Sequence, residues 1–336
     1  MKRWTWMILL PVLAGGCRKD PAVVQNDVDG PFLLELPQGF PSPPVPQQNP
    51  LTQASVKLGK ALFFDPRLSL DGTISCASCH LPDRAFSDTL ALSRGVDELP
   101  GMRNAPSLGN VAYHDALFRD GGVDDLERQV IAPVQDPVEM AHSLQAAVEA
   151  VSEDADHQRL SRIAYGRGLD GFVITRAIAS YERTLISGWS RYDRYRAGET
   201  SALTGSEVNG LQLFNSAALN CSACHSGFDL SDHSYQNVGQ YMSYADPGRE
   251  RITLDPQDNG KFKVPSLRNV ALTGPYMHDG ALATLSEVID HFASGGLQHP
   301  QRSPLMTNFA LSAQEKSDLI AFLHALTDER SLDQVP

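Results

Sequence analysis

Two five-residue stretches, CASCH at 76–80 and CSACH at 221–225, constrain this 336-residue chain more than any other feature. Each sets two thiols three positions apart and a histidine directly after them. Four cysteines could make two disulfides or redox pairs, or halves of a zinc site, so the spacing has to decide. A redox pair does not need the histidine, and a zinc site would not place one after each pair, twice. C-x-x-C-H is the attachment motif of c-type haem: the thiols bond both vinyl groups and the histidine lies under the iron. Cys76, Cys79 and His80 are therefore expected to hold one haem, and Cys221, Cys224 and His225 a second.

The repetition extends beyond the motifs. PSLGNVAYHDALFRDGGVDDLERQV from Pro106 matches PSLRNVALTGPYMHDGALATLSEVI from Pro265 without a gap. This pairs Asn110 with Asn269, Asp120 with Asp279, Gly121 with Gly280 and Leu126 with Leu285. Upstream, LGKALFF (58–64) echoes NGLQLFN (209–215), pairing Gly59 with Gly210 and Phe63 with Phe214. Two copies make two haem domains by duplication, whereas a solenoid needs more repeats. No alternating strand pattern is evident, so the fold class is mainly α. Thr284 with Glu287, and Ser312 with Glu315, form capping boxes that start helices at 285 and 313.

The chain opens MKRWTWMILLPVLAGGC: a basic start, an apolar run and small residues before Cys17. The run is shorter than the ~20 residues that span a bilayer and reads as an export signal. Ending on cysteine, it resembles a lipoprotein signal, with Leu13 one place further from the cysteine than usual. The expectation is a periplasmic protein anchored only by a lipid on Cys17. Residues 1–17 are then signal, 18–50 a proline-rich tether, 51–195 the first haem domain and 196–336 the second, with the polar stretch 190–207 as link. A net charge of −12 argues against a nucleic-acid partner.

With both motifs, RNAPSLGNVAY, DPVEM and PSLRNVALTGPYMHDG in this order, residues 50 to 330 resemble the bacterial dihaem cytochrome c peroxidase / MauG family. LPQGFPSPPVPQQNP and IASYERTLISGWSRYDRY are most similar to the MauG-like branch associated with methanobactin gene clusters. The resemblance implies two cytochrome-c-like helical domains. It makes the haem on His80 the peroxide site and the haem on His225 the electron-transfer site. It gives Glu139 of DPVEM the role of distal acid/base, with Gln129 and Phe118 beside it; Met140 reads as core. It allows a homodimer.

Three departures stand out. The histidine that caps the resting peroxide haem in typical peroxidases falls here on Val96, which implies an open haem; His114 is the reserve cap. The inter-haem tryptophan of FWDG is Arg119 in FRDG. Arginine cannot relay an electron by oxidation but can pair with propionates, and Trp189 is a speculative substitute relay. The second haem's sixth ligand, Met or Tyr in the family, falls on Phe292, which cannot bind iron. The second haem is then five-coordinate or water-bound, or capped from elsewhere, with His291, on the edge of the helix's apolar stripe, expected ahead of Met306 and Met242. The resemblance also implies a Ca²⁺ site on Asn104 with the carbonyls of Thr273 and Pro275. Three functions follow. The first is a peroxidase reducing H2O2 with electrons from a small cytochrome c or copper protein. The second is a MauG-like oxidase acting on Trp or Tyr of a protein substrate, and the third a plain dihaem electron carrier.

Overall fold

The structure, a computed structural model, describes residues 1, 29–333 and 335. The export signal and Cys17 lie outside the described residues.

The duplication reads directly as geometry. Helix Gln53–Phe63 packs across helix Gly171–Glu182, and helix Gly205–Phe214 packs across helix Ala313–His324. The glycines shared by the two apolar repeats set both crossings. A Cβ on Gly59 would run into the carbonyl of Ala177, and one on Gly210 into that of Asp318. Each Pro-Ser-Leu-x-Asn segment ends with its asparagine in the left-handed region, φ 62° at Asn110 and 59° at Asn269. A short 3₁₀ turn follows, Val111–Tyr113 or Val270–Leu272. Asparagine tolerates that conformation, which explains why it recurs. Matching bridges, Leu117 with Val123 and Tyr276 with Leu282, close the two Asp-Gly turns. Among the described residues the only strand pairing beyond isolated bridges is Tyr235–Gln236 with Phe262–Lys263.

Two apolar cores result. The first gathers Leu58, Leu62, Phe63, Phe86, Ile174, Ile178 and Tyr181; the second gathers Phe214, Leu285, Ile289, Phe322 and Leu326. Both expected capping boxes form, starting helices Leu285–Ala293 and Ala313–His324. Gly295 and Gly296, at φ 76° and 68°, turn the chain out of the first of these.

Two segments lie differently from the simple domain division. Residues 29–50 have no helix, as their prolines dictate, but they are not a free tether: they run packed along both halves. Phe40 sits edge-on to Phe228 of the second half, with ring centroids 4.8 Å apart, and touches Tyr113 of the first. Asn49 is fully buried and donates to Glu127 at 2.7 Å. The chain's end returns to the first core through Leu332 and Val335, with Lys60 paired to Asp333 at 3.0 Å. The stretch 190–207 carries a capped helix, Arg191–Arg196, in place of a plain linker. Among the described residues no helix is long and apolar enough to cross a membrane.

Candidate active site

Both C-x-x-C-H motifs open onto one interior cavity of about 720 Å³ between the cores. His80 Nδ1 lies 2.9 Å from the carbonyl of Phe86, and His225 Nδ1 lies 3.1 Å from that of Leu230. A carbonyl only accepts, so in each ring the proton sits on Nδ1 and Nε2 keeps its lone pair. Burial pushes both imidazoles below their usual range, so they are neutral. The four thiols are unpaired, and burial raises Cys79 and Cys221 to about 11. Free thiols beside an imidazole with an available Nε2 are the donor set that covalent haem requires.

Two cations on the cavity wall fit the other end of such a group. Arg119 and Lys263 face the cavity, and among the described residues neither forms an ion pair with a carboxylate. Burial, then Arg103, lowers Arg119 to about 10, and burial lowers Lys263 to about 8. Enclosed cations without anions are costly, and haem propionates would supply the missing charge.

Glu139, Gln129 and Phe118 line the same cavity as the first motif. Glu139 is exposed on the cavity wall. Desolvation and the neighbouring Asp136 raise its carboxyl to about 7. Met140 is buried beneath it in the first core. Val96 cannot approach as a cap: its N–H donates to the Glu139 carbonyl at 2.8 Å and its side chain is buried. A Cβ at Gly95 would run into the carbonyls of Val138 and Glu139, so the loop lies flat on the DPVEM turn. His114 lines the cavity, but its Nε2 is turned towards Asp229, 3.5 Å away, which does not suit a cap. Trp189 is covered by Arg330, whose guanidinium lies 4.1 Å from the ring centroid.

The expected calcium ligands do not fit a cation here. Arg119 donates from Nε to the Asn104 carbonyl at 2.8 Å and from Nη2 to Asn104 Oδ1 at 2.5 Å. Both oxygens that Asn104 could offer already face a guanidinium, and a second cation beside it would be repelled. Thr273 and Pro275 line the cavity, but without Asn104 they form no oxygen cage.

The second motif's surroundings correct another expectation. His291 is not on the cavity wall; its Nε2 is bonded to the carbonyl of Val238 at 3.0 Å. Val288, Phe292 and Met306 do line the cavity, and Met306 is buried. Met242 is exposed and lies off the wall.

Sequence reasoning passed over two features. Asp120, fully buried, takes Arg103 and Arg251 at 2.6 Å each, while Arg103 also holds Asp246 at 2.6 Å, so this seam ties the halves together. The duplicated Asp-Gly turn was its only visible trace. Glu182 is buried beside the first motif with Oε2 unpartnered, and burial raises it to about 8. Nothing in the sequence around it marked this residue.

Two lobes of cytochrome-c-like build, each bringing a C-x-x-C-H motif to a shared interior, define a dihaem c-type oxidoreductase. Residues 53–201 match the family model described as di-haem cytochrome c peroxidase, and 208–327 match that of cytochrome c. The methylamine utilization protein MauG of Methylorubrum extorquens is 39% identical over 94% of this chain and 91% of its own. The cytochrome-c peroxidase IdrP1 of a Pseudomonas species is 36% identical, over 86% of this chain and 84% of its own. Among solved structures, a MauG-like protein associated with microbial copper homeostasis superposes with a TM-score of 0.86 at 37% identity, covering 90% of this chain and 97% of that one. The chain belongs to the di-haem cytochrome c peroxidase family, whose members carry two covalently bound c-type haems.

Proposed function

We propose that this enzyme reduces H2O2 to water at the haem held by Cys76, Cys79 and His80, drawing two electrons through the haem held by Cys221, Cys224 and His225. The observation that carries the reading is Glu139: a carboxyl on the cavity wall near the first motif, poised at about 7. Bound in this cavity, the haem pair supplies the electron transfer. The chain's own groups supply proton movement and orientation. Ionised Glu139 accepts the proton from the near oxygen of peroxide and returns it to the leaving oxygen, which departs as water as the O–O bond breaks; the two electrons from the donor and two protons from solvent turn the remaining oxygen into the second water. Gln129 and Phe118 line the same cavity. The Nδ1–H bonds of His80 and His225 fix each imidazole as an Nε2 ligand. Val96, held against Glu139, leaves the peroxide side without a capping imidazole. Met306, buried on the cavity wall, would offer the second haem a thioether ligand in place of His291.

The donor is a small cytochrome c or copper protein. Export to the periplasm and a lipid on Cys17 complete the reading. The uncapped Val96 position also supports a second reading, oxidation of Trp or Tyr on a partner protein, as its relationship to MauG suggests. Arg119, which cannot be oxidised, then requires direct haem-to-haem transfer. Mixing the resting holoenzyme with H2O2 tests both readings against an electron carrier. Rapid haem spectral change is expected, and no change would leave only the carrier. Steady turnover with reduced cytochrome c separates the first reading from the second.

A further inference from the structure

At the cavity wall, His114 of the first half meets Asp229 and His233 of the second. Asp229 is almost fully buried, and its Oδ2 lies 3.0 Å from His233 Nε2 and 3.5 Å from His114 Nε2. His114 Nε2 is buried and makes no hydrogen bond. Its ring and that of His233 stand edge to face, with centroids 4.4 Å apart. All three donor atoms fall within 4.8 Å of one another.

We propose that His114 Nε2, His233 Nε2 and Asp229 Oδ2 form a binding site for a divalent transition-metal ion of the zinc type, stapling the two halves together. Donors held about 2.0–2.1 Å from a tetrahedral ion stand about 3.4 Å apart, and the two spacings to Asp229 bracket that value. Two imidazoles and a carboxylate leave a fourth position for water, and N/O donors of this kind select zinc or copper over calcium or magnesium. Asn110 Nδ2 donates to Asp229 Oδ1 at 2.8 Å, and Ser266 Oγ lies 3.3 Å from the same oxygen, leaving Oδ2 to the ion. Lys263 lies 3.3 Å from the other nitrogen of His114, and its bond to the Ala116 carbonyl at 2.7 Å keeps it off the ligand face. His233 is a fifth exposed, so an ion can reach the site from solvent.

The duplication strengthens the case. The positions corresponding to His114, Asp229 and His233 in the other repeat are Thr273, Ala85 and Thr89: Ser107 Oγ donates to the Ala85 carbonyl as Ser266 Oγ does to that of Asp229. The cytochrome unit itself therefore does not require this trio. An ion pair alone would also leave the buried Nε2 of His114 unsatisfied.

The test is calorimetric titration of chelator-treated holoenzyme with Zn²⁺ at neutral pH, repeated with His233→Asn and His114→Asn. One saturable equivalent is expected in the unmodified protein, weakened at least about 100-fold by either substitution, because even second-shell changes cost about 10–100-fold. His233→Asn alters the more accessible ligand and serves where His114→Asn fails to fold. Absence of a saturable site, or affinity unchanged in a folded variant, overturns the proposal.

Discussion

Replacing Glu139 by glutamine keeps the shape of the side chain and removes its ability to take a proton. A positioned acid/base contributes about 10²–10⁴-fold, so the second-order rate with peroxide should fall by that factor, equivalent to about 2.7–5.4 kcal/mol of barrier. The pH profile is the sharper signature. Glu139 sits at about 7, raised by desolvation and Asp136. Only its ionised form can accept the proton, so the rate rises with pH and levels above about 7. At pH 6, one unit below that value, about a tenth of the enzyme carries the base. Stopped-flow mixing of holoenzyme with H2O2 between pH 5 and 9 reads both effects. Glu139→Asp should retain a titrating profile at reduced rate, and Glu139→Gln should lose it. A glutamine variant within about threefold of the unmodified enzyme, with the same profile, refutes the role.

The resting ferric enzyme should show high-spin signals from an uncapped first haem, and Val96→His should not convert it cleanly to low spin, because the Val96 backbone is pinned to Glu139. Met306→Ala should remove a low-spin component of the second haem that His291→Ala leaves intact; the reverse result by electron paramagnetic resonance would restore His291. Chelation with EGTA should leave the haem spectrum unchanged and metal analysis should find no stoichiometric calcium, since Arg119 occupies both Asn104 oxygens. Glu182 has its folded pKa raised from 4.5 to about 8. The unfolded chain releases this proton first, so the group's stabilising effect is complete below about 4.5 and declines as pH rises towards 8. The slope is at most about 1.4 kcal/mol per pH unit. Denaturant unfolding of Glu182→Gln across that window should be correspondingly flatter; an unchanged slope contradicts the assignment.

What was legible in the sequence was whatever repeats or caps locally. The constant spacing between repeats paired Asn110 with Asn269, which share one left-handed conformation, and the Gly59 and Gly210 echo became two close helix crossings. Thr284 and Ser312 marked their helix starts because a cap is a short-range hydrogen bond. What depends on distant backbone was not legible. His291 lies on the edge of its helix stripe, and a carbonyl from Val238, 53 positions away, decides its direction. Arg119 could be seen to replace a tryptophan, but its grip on Asn104 needs the folded loop. Proline content suggested an extended tether over 18–50, and its described part, 29–50, has no helix. It could not say that Phe40 would find Phe228 and Tyr113 and fasten the segment down.

The central claim is peroxide reduction with electrons entering through the second haem. Its most direct test is the stoichiometry of turnover: holoenzyme supplied with a reduced small cytochrome c and limiting H2O2. The account predicts two donor molecules oxidised for each peroxide consumed, at a rate that collapses in Glu139→Gln. Peroxide that reacts with the haems while no donor is oxidised would contradict it and leave oxidation of a protein substrate as the activity.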